Sequence, residues 1–309
     1  MPFLTKFGKI LKTIRIEKGL TIADVVAISN HGISKNTLLR YESGQQMPKY
    51  ELLEMLSSVY SLDLCDYFYR FQSSSNDYDS NIKQLLQKNL SLEDAKQLHE
   101  LLKDVIQIEH NSPLIPYYDR LLLFANGAIA KHNGNYEQAE SFFLMALKQR
   151  FCSFRLEHYS DYVYLSLDFK ILDNYIDTLR YLKKISNEYA IEIYQYLYAI
   201  CPPNDFSFAQ ICIQLAYFYA FADFFHKSLE ILEKGISQLR ENNRLNHLPQ
   251  LYYAKGHIEY ASGSPDAQHD FLISYRLSEA MGDTKRLQWL RKKCTEIFHF
   301  SIDNFLSFE

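Results

Sequence analysis

Four consecutive hydrogen-bonding side chains, Ser34, Lys35, Asn36 and Thr37, are followed one helical turn later by Arg40. These residue types can recognise a polar surface but cannot by themselves break bonds. At the front of a helix, asparagine suits the adenine edge and lysine the guanine edge in a DNA major groove. Threonine can bond a phosphate or touch a thymine methyl, and an arginine one turn behind is placed for phosphate. A solvated polar helix face would use the same residues, so the setting has to decide. Residues 1–49 hold eight lysines and arginines against three carboxylates, a balance of +5, which leaves −9 for the rest of a chain of net charge −4. A basic end on an acidic body suits a protein that meets phosphates at one end only.

No comparable set points to catalysis. There is no Gly-x-Ser-x-Gly, no His-Glu-x-x-His and no glycine-rich phosphate loop, and the histidines are scattered without a matching nucleophile. Catalytic residues and cofactors are therefore not expected. Asp161, Asp168 and Asp173 read as a solvated charged stretch. The five cysteines, Cys65, Cys152, Cys201, Cys212 and Cys294, form no Cys-x-x-Cys pair. They read as buried thiols, with neither a disulfide framework nor a metal site. No run of about 18 apolar residues occurs and the first residues do not resemble a secretory signal, so the expectation is a cytoplasmic protein without a membrane segment.

Helices must position the polar set. With 10 Gly and 8 Pro in 309 residues, few hairpin turns are available and long helices are favoured. Phe7, Ile10, Leu11 and Ile14 make one apolar helical stripe, ended by Gly19. Thr21 and Asp24 have capping-box spacing for a second helix. His31-Gly32 turns the chain, Ser34 caps a third helix over Lys35–Glu42, and Gly44 closes it. Pro48 precedes a fourth, with Leu52, Leu53, Leu56 and Tyr60 inward, and Leu64 and Phe68 complete a small core. The polar run Gln72–Ser80 reads as a linker. Beyond it come a short helix, Ile82–Lys88, and another started by the capping box Ser91–Asp94.

A repeat of about 34 residues then emerges. Gly127, Ala139, Phe143 and Ala146 fall where two antiparallel helices cross closely, joined by a turn at Asn133–Tyr136. Weaker copies place Thr178, Leu182 and Ile185 after a turn at Asp173-Asn174-Tyr175. Others place Ser228, Leu232 and Gly235 after a turn at Asp223, then Gly256, Gly263, Ala267 and Phe271. Trp289 lies in a terminal helix that caps the stack. The expected class is all-α: a small domain over 1–71, a linker over 72–80, and a right-handed solenoid of helical hairpins over 81–309.

The string Gly32-Ile33-Ser34-Lys35-Asn36-Thr37-Leu38-Leu39-Arg40-Tyr41-Glu42-Ser43-Gly44, with Pro48 beyond and Ile14-Arg15-Ile16-Glu17-Lys18-Gly19-Leu20-Thr21 before, resembles the repressor-type (Cro/CI-like, XRE) helix-turn-helix. The resemblance implies that the third helix reads DNA, through Ser34, Lys35, Asn36, Thr37 and Arg40. It also implies that Arg15 and Glu42 form a structural ion pair between helices one and three. The family usually carries Gln just after the position of Thr21; here that residue is Ile22, which puts helix-two DNA contacts in question. Joined to tetratricopeptide-like repeats, the layout resembles the Rgg, PlcR and ComR group of peptide-pheromone regulators (RRNPP). That resemblance implies a quorum-sensing transcription regulator, a homodimer on two DNA half-sites, and a short signalling peptide as second partner.

In such an array the first helix of each hairpin lines the concave face. By register, Lys131, Tyr164, Gln210, Gln214, Tyr217, Gln250, Tyr253, His257 and Tyr260 are the candidate peptide contacts. Amides can bond a peptide backbone, and tyrosines supply rigid amphipathic area. The 24 tyrosines are compatible with a groove, though tyrosines at repeat junctions would read the same way. A protein-interaction scaffold and a phage-type repressor, each without a peptide pheromone, are the alternative readings of this layout.

Overall fold

In a computed structural model, the described residues are all except Met1, Asp66, Tyr67, residues 69–76, 88–89, 109–114 and 299–309. Every regular element among them is helical. They form two compact units, Met1–Lys184 and Ile185–Glu309.

The first unit begins with four helices: α1 (Pro2–Glu17), α2 (Ile22–Ile28), α3 (Lys35–Glu42) and α4 (Tyr50–Tyr60). Their core is apolar and tight: Phe7, Leu11, Val25, Leu38, Leu53, Leu56, Tyr60, Leu64 and Phe68 are all essentially inaccessible. Phe7 and Phe68 meet edge to face, their ring centroids 4.8 Å apart, which closes the head from both ends of its sequence. Gly44, at φ +70, reverses the chain after α3 where a Cβ would lie 2.7 Å from the Leu4 carbonyl oxygen. Only glycine combines that conformation with that approach.

Next come α5 (Asp77–Leu86), α6 (Leu92–Ile108), α7 (Ile115–His132), α8 (Tyr136–Arg150), a 3₁₀ segment (Leu156–Asp161) and α9 (Ser166–Tyr181). Residues 77–80 of the expected linker belong to α5, and residues 72–76 lie outside the described set. The helix expected over Ile82–Lys88 is thus the latter part of α5, with residue 88 outside the description. Ser91 and Asp94 cap α6 reciprocally: Ser91 N–H donates to Asp94 Oδ2 at 3.1 Å, and Asp94 N–H to Ser91 Oγ at 3.1 Å. In the α7–α8 hairpin, Gly127 is packed where a Cβ would sit 2.5 Å from Phe143 Cε1, and Ala139, Phe143 and Ala146 are fully buried. This is the small-residue crossing that the spacing implied.

The turn expected at Asp173-Asn174-Tyr175 does not exist. All three residues lie inside α9, whose buried face runs through Ile171, Leu172, Ile176 and Leu179. Asn and Asp favour turns only weakly against such continuous apolar burial, and tertiary packing overrides them here.

The second unit holds α10 (Asn187–Ile200), α11 (Phe208–Phe221), α12 (Phe225–Glu241), α13 (Leu248–Ser262), α14 (Ala267–Ala280) and α15 (Thr284–Phe298). Asp223, at φ 61, turns α11 into α12, and Ser228 Oγ then donates to the Ala216 carbonyl at 2.6 Å. At the α13–α14 crossing, a Cβ on Gly256 would meet the Ala267 carbonyl oxygen at 2.9 Å. Leu290 and Cys294 of α15 close the apolar cluster around Phe271 and Tyr275.

Candidate nucleic-acid interface and repeat surfaces

The reading helix is built locally. Thr21 N–H donates to Asp24 Oδ2 at 2.7 Å and Asp24 N–H to Thr21 Oγ1 at 3.2 Å, which fixes the start of α2. Asn30 and His31 both take left-handed conformations, at φ 49 and 60, and carry the chain into the Gly32 turn. Ser34 Oγ accepts from Thr37 N–H at 3.1 Å, and the two hydroxyls are 2.8 Å apart. Ser34 is thus the cap of α3 and Thr37 its partner. Leu38 and Tyr41 point into the core, while Ser34, Lys35, Asn36 and Arg40 are exposed and Thr37 is half-buried. The leading edge is therefore polar, exposed and rigidly founded.

Its back end is pinned by charge. Arg15 Nε donates to Glu42 Oε1 at 2.6 Å and Nη2 to Oε2 at 2.9 Å, a bidentate pair. Arg15 Nη1 also donates to the Leu20 carbonyl at 3.0 Å. The hydrogen bond to Glu42 raises the Arg15 pKa against the opposing effect of burial. One guanidinium therefore ties α1, the turn before α2, and α3 together. An open pocket lined by Ile16, Leu20, Ile22 and Lys35 lies beside this junction.

A second charged cluster, which the sequence reading missed, joins α4 to the repeats within the first unit. Arg120 on α7 is ion-paired with Asp168 on α9, and its Nη1 lies 3.7 Å from Glu54 Oε1 on α4. Arg120 Nε donates to the Ala146 carbonyl at 2.9 Å. Arg150 Nη2 donates to Ser58 Oγ on α4 at 3.1 Å, and Tyr50 donates to Glu54 Oε1 at 2.8 Å. Burial pushes the Glu54 carboxyl above its usual range, against the pull of Arg120 and Arg150. Asp168 is fully buried and Asp173 nearly so, so the stretch read as solvated is solvated only at Asp161. The signal was present in the flanks: Asp168 stands between Leu167 and Phe169, and Arg120 just before Leu121, all core positions.

The candidate peptide residues separate. In the first unit, Lys131 Nζ lies 2.7 Å from Asp177 Oδ2 and donates to Asn174 Oδ1 at 3.2 Å. Tyr164 is not on a first helix at all. It precedes α9, is buried, donates to the Tyr159 carbonyl at 2.7 Å, and packs on Phe151 and Phe169. In the second unit, Gln210, Gln214 and Tyr217 lie on α11, and Gln250, Tyr253, His257 and Tyr260 on α13. Tyr217 Oη and His257 Nδ1 are 3.2 Å apart. Burial lowers the His257 pKa. Tyr253 packs on His257, Phe271 and Trp289, with ring centroids 6.1, 5.5 and 4.6 Å away. With its amide nitrogen turned to the His247 carbonyl, Gln250 donates there and accepts from Arg286, each at 3.0 Å. Trp289, read from sequence only as part of a cap, is 42% exposed and belongs to this aromatic surface.

Residues 11–67 match the helix-turn-helix family HTH_3. The chain is also 28% identical over 91 residues to the cryptic phage CTXphi transcriptional repressor RstR of Vibrio cholerae, covering 29% of this chain and 78% of that protein. Two solved structures resemble nearly the whole chain. PlcR of Bacillus thuringiensis in complex with the peptide PapR7 and DNA has TM-score 0.54 and 17% identity, over 93% of this chain and 99% of its own. ComR of S. thermophilus in complex with DNA and its signalling peptide ComS has TM-score 0.52 and 13% identity, over 93% and 97%. Residues 11–67 are a helix-turn-helix domain, and the chain has the PlcR and ComR fold. Within that PlcR- and ComR-like fold, α2 and α3 are the helix-turn-helix and α7 onward the repeats. Among the described residues, no group of His, Cys, Asp and Glu is arranged to hold a metal, and no helix is long and apolar enough to cross a membrane.

Proposed function

We propose that this protein is a cytoplasmic quorum-sensing transcription regulator that reads DNA through Ser34, Lys35, Asn36, Thr37 and Arg40 and is switched by a short peptide. The observation that carries the reading is the exposed, capped leading edge of α3, braced behind by the buried Arg15–Glu42 pair. In a helix-turn-helix, side chains at that edge enter the major groove. Lys35 and Asn36 then take base edges, and Arg40 a phosphate. A single head of this size binds weakly, so a homodimer on two half-sites about one helical turn apart is the working assembly.

The peptide belongs on the second unit's aromatic surface around Tyr217, Tyr253 and His257. Gln210, Gln214, Gln250 and Tyr260 share its helices. That PlcR was solved with the peptide PapR7 and ComR with its signalling peptide ComS supports this. Lys131 and Tyr164 are already engaged within their own unit, so they drop out of the peptide set. The buried Arg120–Asp168–Arg150 cluster, which touches α4, gives the head a firm attachment to the repeats of the first unit.

The similarity of 91 residues of the chain to a phage repressor favours a second reading, a phage-type repressor with no peptide. One pair of measurements separates the two. Gel shifts on duplexes selected from a random pool should lose the complex with Lys35→Ala plus Asn36→Ala while thermal stability is retained. Calorimetry of the full chain against a panel of short apolar peptides should then show saturable binding that Tyr253→Ala weakens. DNA binding with no peptide response would leave the repressor reading.

A further inference from the structure

Three apolar side chains, none of them fully buried, line one pocket beside the reading helix. Ile16 is 58% exposed at the end of α1, Leu20 follows it in the turn, and Ile22 is the first residue of α2, half-buried. They line one open pocket, and Lys35, the first residue of α3, completes its wall. Single exposed hydrophobic residues need no account, but a group of them sharing a pocket with a basic reader does. Arg15, also in the lining, is held inward by Glu42 and the Leu20 carbonyl, so Lys35 is the cation that faces an incoming ligand.

We infer that this pocket receives the methyl group of a thymine, making Ile22 a specificity-determining residue beside Lys35. The inference rests on the reading of α3 as the DNA-reading helix. Its occupant follows from the shared lining: Ile22 and Lys35 bound the same open pocket, and the head is basic. Among the groups that a major groove presents, the thymine methyl is the apolar one. The isoleucine side chain can neither donate to a phosphate nor hydrogen-bond a base edge, so its contribution is discrimination by contact. Lys35 pairing with guanine and Ile22 covering a thymine methyl would together read neighbouring base pairs by opposite chemistries.

The test uses the full-length protein and a duplex taken from selection on a random pool. Each thymine of a half-site is replaced in turn by uracil, which deletes only the methyl, and binding is followed by fluorescence anisotropy. At one position in each half-site, uracil should weaken the native protein about 4-fold, the scale of one buried methyl. Ile22→Ser should bind thymine and uracil duplexes equally there, and Ile22→Val, which keeps a branched apolar surface, should retain the preference. Equal uracil penalties in native and Ile22→Ser proteins would overturn the inference, as would a preference lost in Ile22→Val with its melting temperature unchanged. If Lys35→Ala plus Asn36→Ala binds as the native protein does, the reading helix itself is wrong and this inference falls with it, a result distinct from a missing methyl effect.

Discussion

Arg150 on α8 places Nη1 2.8 Å from Asp168 Oδ2 on α9, with both side chains almost wholly withdrawn from water. The same carboxylate pairs with Arg120 and accepts from the Leu165 N–H at 2.8 Å. Two buried cations therefore depend on one anion, with Glu54 as a more distant partner of Arg120. Asp168→Ala should lower the unfolding free energy of the first unit by about 3–5 kcal/mol, because it strands charge rather than merely deleting a contact. Urea denaturation would show it, and replacing Arg120 and Arg150 by methionine in the same chain should recover part of the loss. A loss under about 1 kcal/mol from Asp168→Ala alone would mean that water reaches the cluster.

At the α7–α8 crossing the argument is steric. A methyl on Gly127 would lie 2.5 Å from the Phe143 ring, and Phe143 is fully buried with nowhere to retreat. Alanine ordinarily favours a helix over glycine by about 1 kcal/mol, but overpacking costs about 1–3 kcal/mol. Gly127→Ala should therefore destabilise on balance, and Gly127→Ala with Phe143→Leu should be more stable than the sum of the two single changes. Thermal melts of the four proteins decide it. Strict additivity would show that the two residues do not compete for one space.

What the sequence disclosed and what it hid follow from the range of the interactions. Caps are local, so Thr21, Ser34 and Ser91 could be read from spacings of three residues, and the structure places all three at helix starts. Close helix crossings leave small residues at fixed intervals, which made Gly127 and Gly256 visible. The Arg120–Asp168 pair spans 48 positions and leaves no periodic trace, so Asp168 looked like any surface acid. Tyr164 failed for a related reason. Repeat register was extrapolated through a segment whose chain leaves the helical path at the 3₁₀ turn. The aromatic surface was half legible: its tyrosines lay in register, while Trp289 reaches it from a helix outside the repeat pattern.

The second unit should carry its own pH dependence. Glu259 and Asp270 are buried together, with Lys255 Nζ 3.3 Å from Glu259 Oε1 and 3.0 Å from Asp270 Oδ2. Burial, and then the hydrogen bond with Asp270, push the Glu259 carboxyl up to about 7. A folded-state pKa above the unfolded value gives a contribution fully present below about 4.5 and lost as pH rises through about 7. Between pH 5 and 8 the native chain should thus lose on the order of 1–3 kcal/mol from this group. Glu259→Gln, which stays neutral and keeps the shape, should flatten that slope, read by calorimetric melts at several pH values. An unchanged slope would assign the titration elsewhere.

Ser34 does two jobs that one substitution can separate. Its hydroxyl caps α3 by accepting from Thr37 N–H, and it stands exposed at the edge proposed to enter the groove. Aspartate caps a helix about as well as serine and suits the helix N-terminus, so Ser34→Asp should melt within about 0.5 kcal/mol of the native protein. Ser34→Ala should lose about 1 kcal/mol. On DNA the order reverses. Alanine removes one polar contact, whereas the aspartate charge would face phosphates within a few ångströms and raise the dissociation constant roughly tenfold or more at low salt. The effect should shrink as salt screens it. A Ser34→Asp protein that binds DNA as tightly as the native one would place the edge of α3 away from the duplex.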